Sequence, residues 1–79
     1  MCPLGMVMSG QEVEVVSILG GRGMSTRLAY MGVYPGVKLK VIANSFSGPI
    51  IIALGEKRFG IGFGMAHRII VKPLEEKDE

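Results

Sequence analysis

Apolar and polar residues alternate with a period of two in several short stretches of this chain, and follow a helical spacing in one. The clearest alternation covers residues 37–43. There Val37, Leu39, Val41 and Ala43 point one way and Lys38, Lys40 and Ile42 the other. That is the pattern of a strand with one buried and one mostly wet face. Residues 11–19 form an earlier strand, with Glu12 and Glu14 alternating against Val13 and Val15. Its phase breaks at Val16-Ser17-Ile18, which predicts a bulge or sharp bend, as a small barrel needs in order to close. Ile50–Leu54 is a continuous apolar strand, either covered on both faces or carrying an exposed apolar patch. Residues 58–63 alternate Phe59, Ile61 and Phe63, all expected in the core, with Gly60 and Gly62. The glycines fit strong curvature or close backbone approach, or else a smooth face for a partner's backbone. Residues 68–72 make the last strand, with Ile69 and Val71 inward and Pro73 ending it.

The helical spacing lies between the first two strands. Leu28 and Met31 are three apart and share a helix face. Ser25 or Thr26 can cap the helix start. Gly32 sits where a helix end takes up positive φ, and Pro35-Gly36 suits the centre of a type II turn. A helix of about two turns is not stable alone in water. It must dock, as a plug, on the sheet built by its neighbours. Gly20-Gly21-Arg22-Gly23 precedes it and reads as a flexible surface loop bearing one exposed arginine. The spacing fails as a phosphate-binding loop, because Met24, not lysine, precedes Ser25. Residues 1–10 are a lead-in segment, with Leu4 and Val7 reaching the core. Residues 64–67 make a short connection of one helical turn. These elements predict an all-β fold with one short helix: a partly open, five-stranded, SH3-like barrel over residues 1–74, followed by an acidic tail at 75–79.

Composition narrows the picture. Twelve glycines are too many for a helical protein and fit many tight turns. No apolar run reaches the roughly 18 residues of a membrane span, and no basic stretch followed by an apolar one marks a signal peptide. The single cysteine, Cys2, cannot form an internal disulfide, which fits a reducing cytoplasm. The net charge of +2 hides a division. Eight basic and three acidic residues stand before position 75, and four acidic and one basic after it.

Candidate chemistry is sparse. His67 is the only histidine, and Glu12, Glu14 and Glu56 are the only carboxylates before the tail. None of these stands in a recognisable catalytic arrangement, so no enzyme is expected. Cys2 and His67 are the only candidate metal ligands of note, and a structural zinc site needs four. Met6 and Met8 could hold Cu(I), but methionines filling core gaps are far commoner. No metal and no cofactor is therefore expected.

The ordered set Arg27-Leu28, Met31-Gly32 and Pro35-Gly36 between two strands resembles the FeoA family. So do Pro3-Leu4, Gly10, Val13/Val15, Gly20-Gly21, Gly48-Pro49-Ile50, Phe59 to Phe63, and Met65-Ala66 before Ile69 and Val71. The glycines at 60, 62 and 64 depart from the usual pattern. The resemblance implies a small cytosolic SH3-like barrel, accessory to ferrous iron uptake. Its implied partner is the FeoB-type permease and GTPase at the cytosolic membrane face. Arg22, Arg27, Tyr30 and Tyr34 are then the candidate contact residues, arginine and tyrosine being frequent interface anchors. Each has a plainer reading, with Arg27 capping carbonyls and the tyrosines packing as barrel edge. Similar domains also end iron- and manganese-dependent repressors, which leaves a metal-responsive regulatory module as an alternative. A second alternative is a nucleic-acid-binding barrel using Lys38, Lys40, Lys57, Arg58, Arg68 and Lys72. Their scatter and the scarcity of free aromatics argue against it, and no nucleic acid is expected. An uncovered strand edge could also make a homodimer.

Overall fold

A computed structural model describes residues 1–74; the acidic tail at 75–79 lies outside the described residues. Six strands form one sheet: β1 (Cys2–Pro3), β2 (Glu12–Ile18), β3 (Lys38–Asn44), β4 (Ile50–Leu54), β5 (Lys57–Ile61) and β6 (Ile69–Pro73). Their order is β1-β6-β2-β3-β4-β5, every pairing is antiparallel, and the sheet does not close. Two α-helices interrupt it, α1 (Gly21–Tyr30) and the single turn α2 (Phe63–Ala66), and a 3-10 turn at Leu4–Met6 follows β1. The expected count of five strands misses β1. That strand is two residues long and exists only by pairing Cys2 with Val71 and Pro3 with Ile70.

The alternation holds where it was strictest. Val13 and Val15 on β2, Leu39 and Val41 on β3, and Ile69 and Val71 on β6 are all buried. Leu4 and Val7 of the lead-in segment join them. The phase break in β2 is a register shift between Val15 and Ser17 against β6. A second shift, between Val41 and Ala43 against β4, turns Ile42 and Ala43 both outward. Ala43 is therefore exposed, not in the core as its spacing predicted. Ile50 and Ile52 are buried on β4, while Ile51, Ala53 and Leu54 are half-buried, so its second face is only partly covered. Phe63 is a further correction. The chain leaves the strand at Gly62, whose carbonyl accepts the Ala66 N–H at 2.8 Å, and Phe63 opens α2 with its side chain exposed.

The helix is longer than its apolar spacing indicated. It starts at Gly21, with Gly20 in the left-handed region (φ 107°) as the residue before it. No side chain caps it, so neither Ser25 nor Thr26 has the predicted role. The glycine-rich stretch is its first turn and not a loop. Met24, Leu28 and Met31, spaced four and three apart, pack on the core, and Leu28 is fully buried. The far end is locked as expected. The Gly32 N–H donates to the Ala29 carbonyl at 2.9 Å, and the Val33 N–H donates to that of Leu28 at 2.8 Å. This is a Schellman ending with its apolar pair, Leu28 and Val33, buried together. The type II turn follows, with Gly36 at φ 98° and the Val37 N–H donating to Tyr34 at 3.1 Å. Val15 clasps this turn from β2: its N–H donates to Val37 and its carbonyl accepts from Gly36, both at 2.8 Å.

Asn44 ties the end of β3 to the lead-in segment. Its Nδ2 donates to the Gly5 and Val7 carbonyls at 2.9 and 2.7 Å, and its Oδ1 accepts the Phe46 N–H at 2.8 Å. Its own N–H donates to Ser9 Oγ at 3.1 Å. One side chain thus holds the lead-in segment against the β3–β4 loop.

Two substitutions probe these locks. Gly32 lies at φ 92°, and an added Cβ would stand 2.9 Å from Leu54 Cδ2. Gly32→Ala is expected to lose about 2 kcal/mol of stability, seen as a lower urea midpoint at unchanged slope. Asn44→Ala is expected to lose about 2–3 kcal/mol, because it removes three hydrogen bonds and strands two carbonyls. Asn44→Asp keeps the acceptor but not the donors, so urea denaturation of that variant should show little recovery.

Candidate functional site

The contact candidates fall on α1 and the loop after it. Helix geometry sets Arg22, Thr26 and Tyr30, four apart, on the stripe facing away from Met24, Leu28 and Met31. Arg22, Arg27, Tyr30 and Tyr34 are all exposed, Tyr30 by 88% and Tyr34 by 52%. The tyrosines are thus not packed into the barrel edge. Arg27 makes no side-chain hydrogen bond among the described residues, so it does not cap helix carbonyls. It flanks the stripe, three residues before Tyr30. Tyr34 lies beyond the Schellman ending, in the turn that Val15 holds.

The fold adds Arg68 to this region. The Leu19 N–H donates to the Arg68 carbonyl at 2.7 Å. The Arg68 side chain lies over Gly20, with Nη1 3.2 Å from where a Cβ would stand. Arg68 and Arg22 therefore flank the start of α1, while Arg27 and Tyr30 stand at its end. No local pattern marks Arg68 for this role, because it arrives from the distant turn between α2 and β6.

The weak metal candidates fare differently. Cys2 is half-buried on β1, beside β6. His67 follows α2; its ring packs at a tilt of 42° against Phe63, with centroids 4.3 Å apart, and covers Gly5. An alanine Cβ at position 5 would collide with His67 Nδ1 and lie 2.8 Å from Cε1. His67 therefore serves as packing over the lead-in segment. No group of three or more His, Cys, Asp or Glu side chains that could hold a metal occurs among the described residues.

The basic residues proposed for nucleic acid do not form one stripe. Glu12, Lys40, Ala53 and Arg58 lie in a single row across β2, β3, β4 and β5. Lys38, two residues from Lys40, shares their face and pairs with Glu14, which pairs with Lys72 on its other side. Lys57 alternates away from Arg58, and Arg68 lies by α1. A shallow groove of about 260 Å³ runs along this face, lined by Glu12, Lys38, Lys40, Ala53 and Leu74 among others. Glu12 and Glu14 interrupt the lysines of β3 and β6.

An incompletely closed antiparallel sheet around one core, plugged by a short helix, defines a small SH3-like β-barrel. Comparison with known proteins agrees. The FeoA domain model matches residues 2–73. A Methanocaldococcus jannaschii protein assigned as Fe(2+) transport protein A is 43% identical over 95% of this chain and 90% of its own. A crystal structure of an iron uptake regulatory protein, FeoA, superposes with a TM-score of 0.85 at 41% identity, over 92% of this chain and 96% of that one. A manganese-dependent transcriptional repressor also superposes, with a TM-score of 0.80 at 26% identity. That match covers 91% of this chain but 41% of the repressor. The chain belongs to the FeoA family. Among the described residues, no helix is long and apolar enough to cross a membrane.

The exposure of the α1 stripe has a direct consequence. Arg22→Ala and Tyr30→Ala are each expected to move the stability by less than about 0.5 kcal/mol in urea denaturation. Leu28→Ala, on the buried face, should lose about 2–5 kcal/mol.

Proposed function

We propose that this protein is an accessory factor of ferrous iron uptake that acts by contact with a FeoB-type permease and GTPase at the cytosolic face of the membrane. Family membership supports the iron-uptake role. The observation that carries the contact surface is the Arg22–Thr26–Tyr30 stripe, with Arg27 beside it and Tyr34 beyond the helix end. These side chains are exposed on a helix whose opposite face is fixed in the core. A fixed helix offers its side chains without the ordering cost that a loop would meet on binding. Tyrosine and arginine supply large, amphipathic contact area and charge-assisted hydrogen bonds.

The test is calorimetric titration of the purified full-length permease in detergent, with and without a GTP analogue. Saturable binding by the native chain is expected, and Arg22→Glu and Tyr30→Ala should each weaken it by about tenfold or more, roughly 1.4 kcal/mol. Because both side chains are exposed and outside the core, unchanged binding and unchanged iron uptake would remove this surface from the proposal.

A further inference from the structure

The sheet ends at β5, and its last edge is open. Among the described residues β5 exchanges backbone hydrogen bonds with β4 alone, in an unbroken register from Ile50↔Ile61 to Leu54↔Lys57. Its other edge presents unpaired N–H and C=O groups, a template for one more strand. The opposite end of the sheet, β1, is only two residues long, whereas β5 has five, an ordinary strand length. β5 also lacks the proline or bulge that commonly blunts an edge. Gly60 brings no side chain, and open space surrounds the Cβ positions of Gly62 and Gly64.

What stands at this edge is charge. Lys57 and Arg58 are both exposed, and Lys40 lies in the same row as Arg58, across the small Ala53. No acidic residue occurs on β3, β4 or β5; the one carboxylate beside this edge, Glu56, is exposed in the β4–β5 turn next to Lys57. A second copy of β5 would bring the same two cations to the edge, so charge disfavours self-pairing. A polynucleotide is disfavoured too. No aromatic side chain stands in this row for bases to stack on, and Glu12 and Glu14 follow directly beyond the lysines.

We propose that the free edge of β5 is a docking site for an extended, carboxylate-rich segment of a partner protein. The segment adds to the sheet as a further strand. Main-chain hydrogen bonds supply affinity, and Lys57 and Arg58 select acidic side chains. The site lies on a different element from the α1 stripe and does not depend on the permease reading.

The experiment titrates the full-length, isotope-labelled chain with a short capped peptide of alternating Glu and Val, followed by amide NMR. Shifts and slowed hydrogen exchange concentrated at residues 57–62 are expected. Arg58→Glu should weaken binding by about tenfold, and a peptide with Lys in place of Glu should leave these amides unmoved. Arg58 is exposed, so its variant keeps the fold. Four results would overturn the proposal. They are no shift at β5 with millimolar peptide, equal shifts with the Glu and Lys peptides, concentration-dependent β5 shifts without peptide, and displacement of the acidic peptide from these same amides by oligouridylate.

Discussion

The docking of one helix end is the constraint on which the remaining structure rests. α1 has ten residues, three of them glycine or serine near its start and none capping it. Isolated helices of that length are marginal in water, and glycine lowers helix propensity by about 1 kcal/mol per site. The helix persists because Leu28 is fully buried and because Gly32 closes the last turn against Leu54 of β4. The closure must come at position 32. One residue later, Val33 has to enter the core, and its N–H is already engaged by the Leu28 carbonyl. The chain then reverses over Pro35-Gly36 and is seized by Val15 on both sides of the turn. Helix, turn and the bulged centre of β2 therefore form one interlocked unit.

That unit explains what was legible in the residues and what was not. Gly32 and Pro35-Gly36 could be recognised because their conformations are local, set by φ and by hydrogen bonds a few residues apart. The start of α1 could not. The glycines at 20, 21 and 23 argue locally for a loop, and only the packing of Met24 on the core draws the helix back over them. β1 escaped because its partner, Val71, is at the other end of the chain. Asn44 escaped for the same reason, since its partners lie at Gly5, Val7 and Ser9. Phe63 continued a period-two pattern that the backbone abandons at Gly62. In the candidate site, the residue types were visible in the sequence. Their sharing of one outward stripe, and the arrival of Arg68 at the helix start, are consequences of the fold.

An open six-stranded sheet also divides the surface by charge. The lead-in segment, α2 and the β3–β4 loop are tied together by Asn44 and by the seat of His67 on Gly5. That end of the molecule is almost free of charge: residues 1–11, 41–55 and 59–66 contain no Asp, Glu, Lys or Arg. The charges gather instead along α1 and on the outer faces of β2, β3, β5 and β6. Opposite charges meet in register at Glu12↔Lys40 and Glu14↔Lys38. Such exposed cross-strand pairs contribute only about 0.2–1 kcal/mol each, so their main effect is to break up the basic field.

A small barrel has little binding energy to spend on reordering itself. Here both proposed contact surfaces stand mainly on regular elements, with Tyr34 alone in a turn. The α1 stripe is held by the buried face beneath it, and the β5 edge is held by an unbroken register with β4. Neither needs a core residue to move when a partner arrives. Substitutions on the outward stripe therefore probe the proposed contact at little cost in stability, whereas substitutions at Leu28, Gly32 or Asn44 act on the fold itself. In a chain of 79 residues, whose core is near the lower size limit for independent folding, that separation keeps the surface positions out of the stability balance.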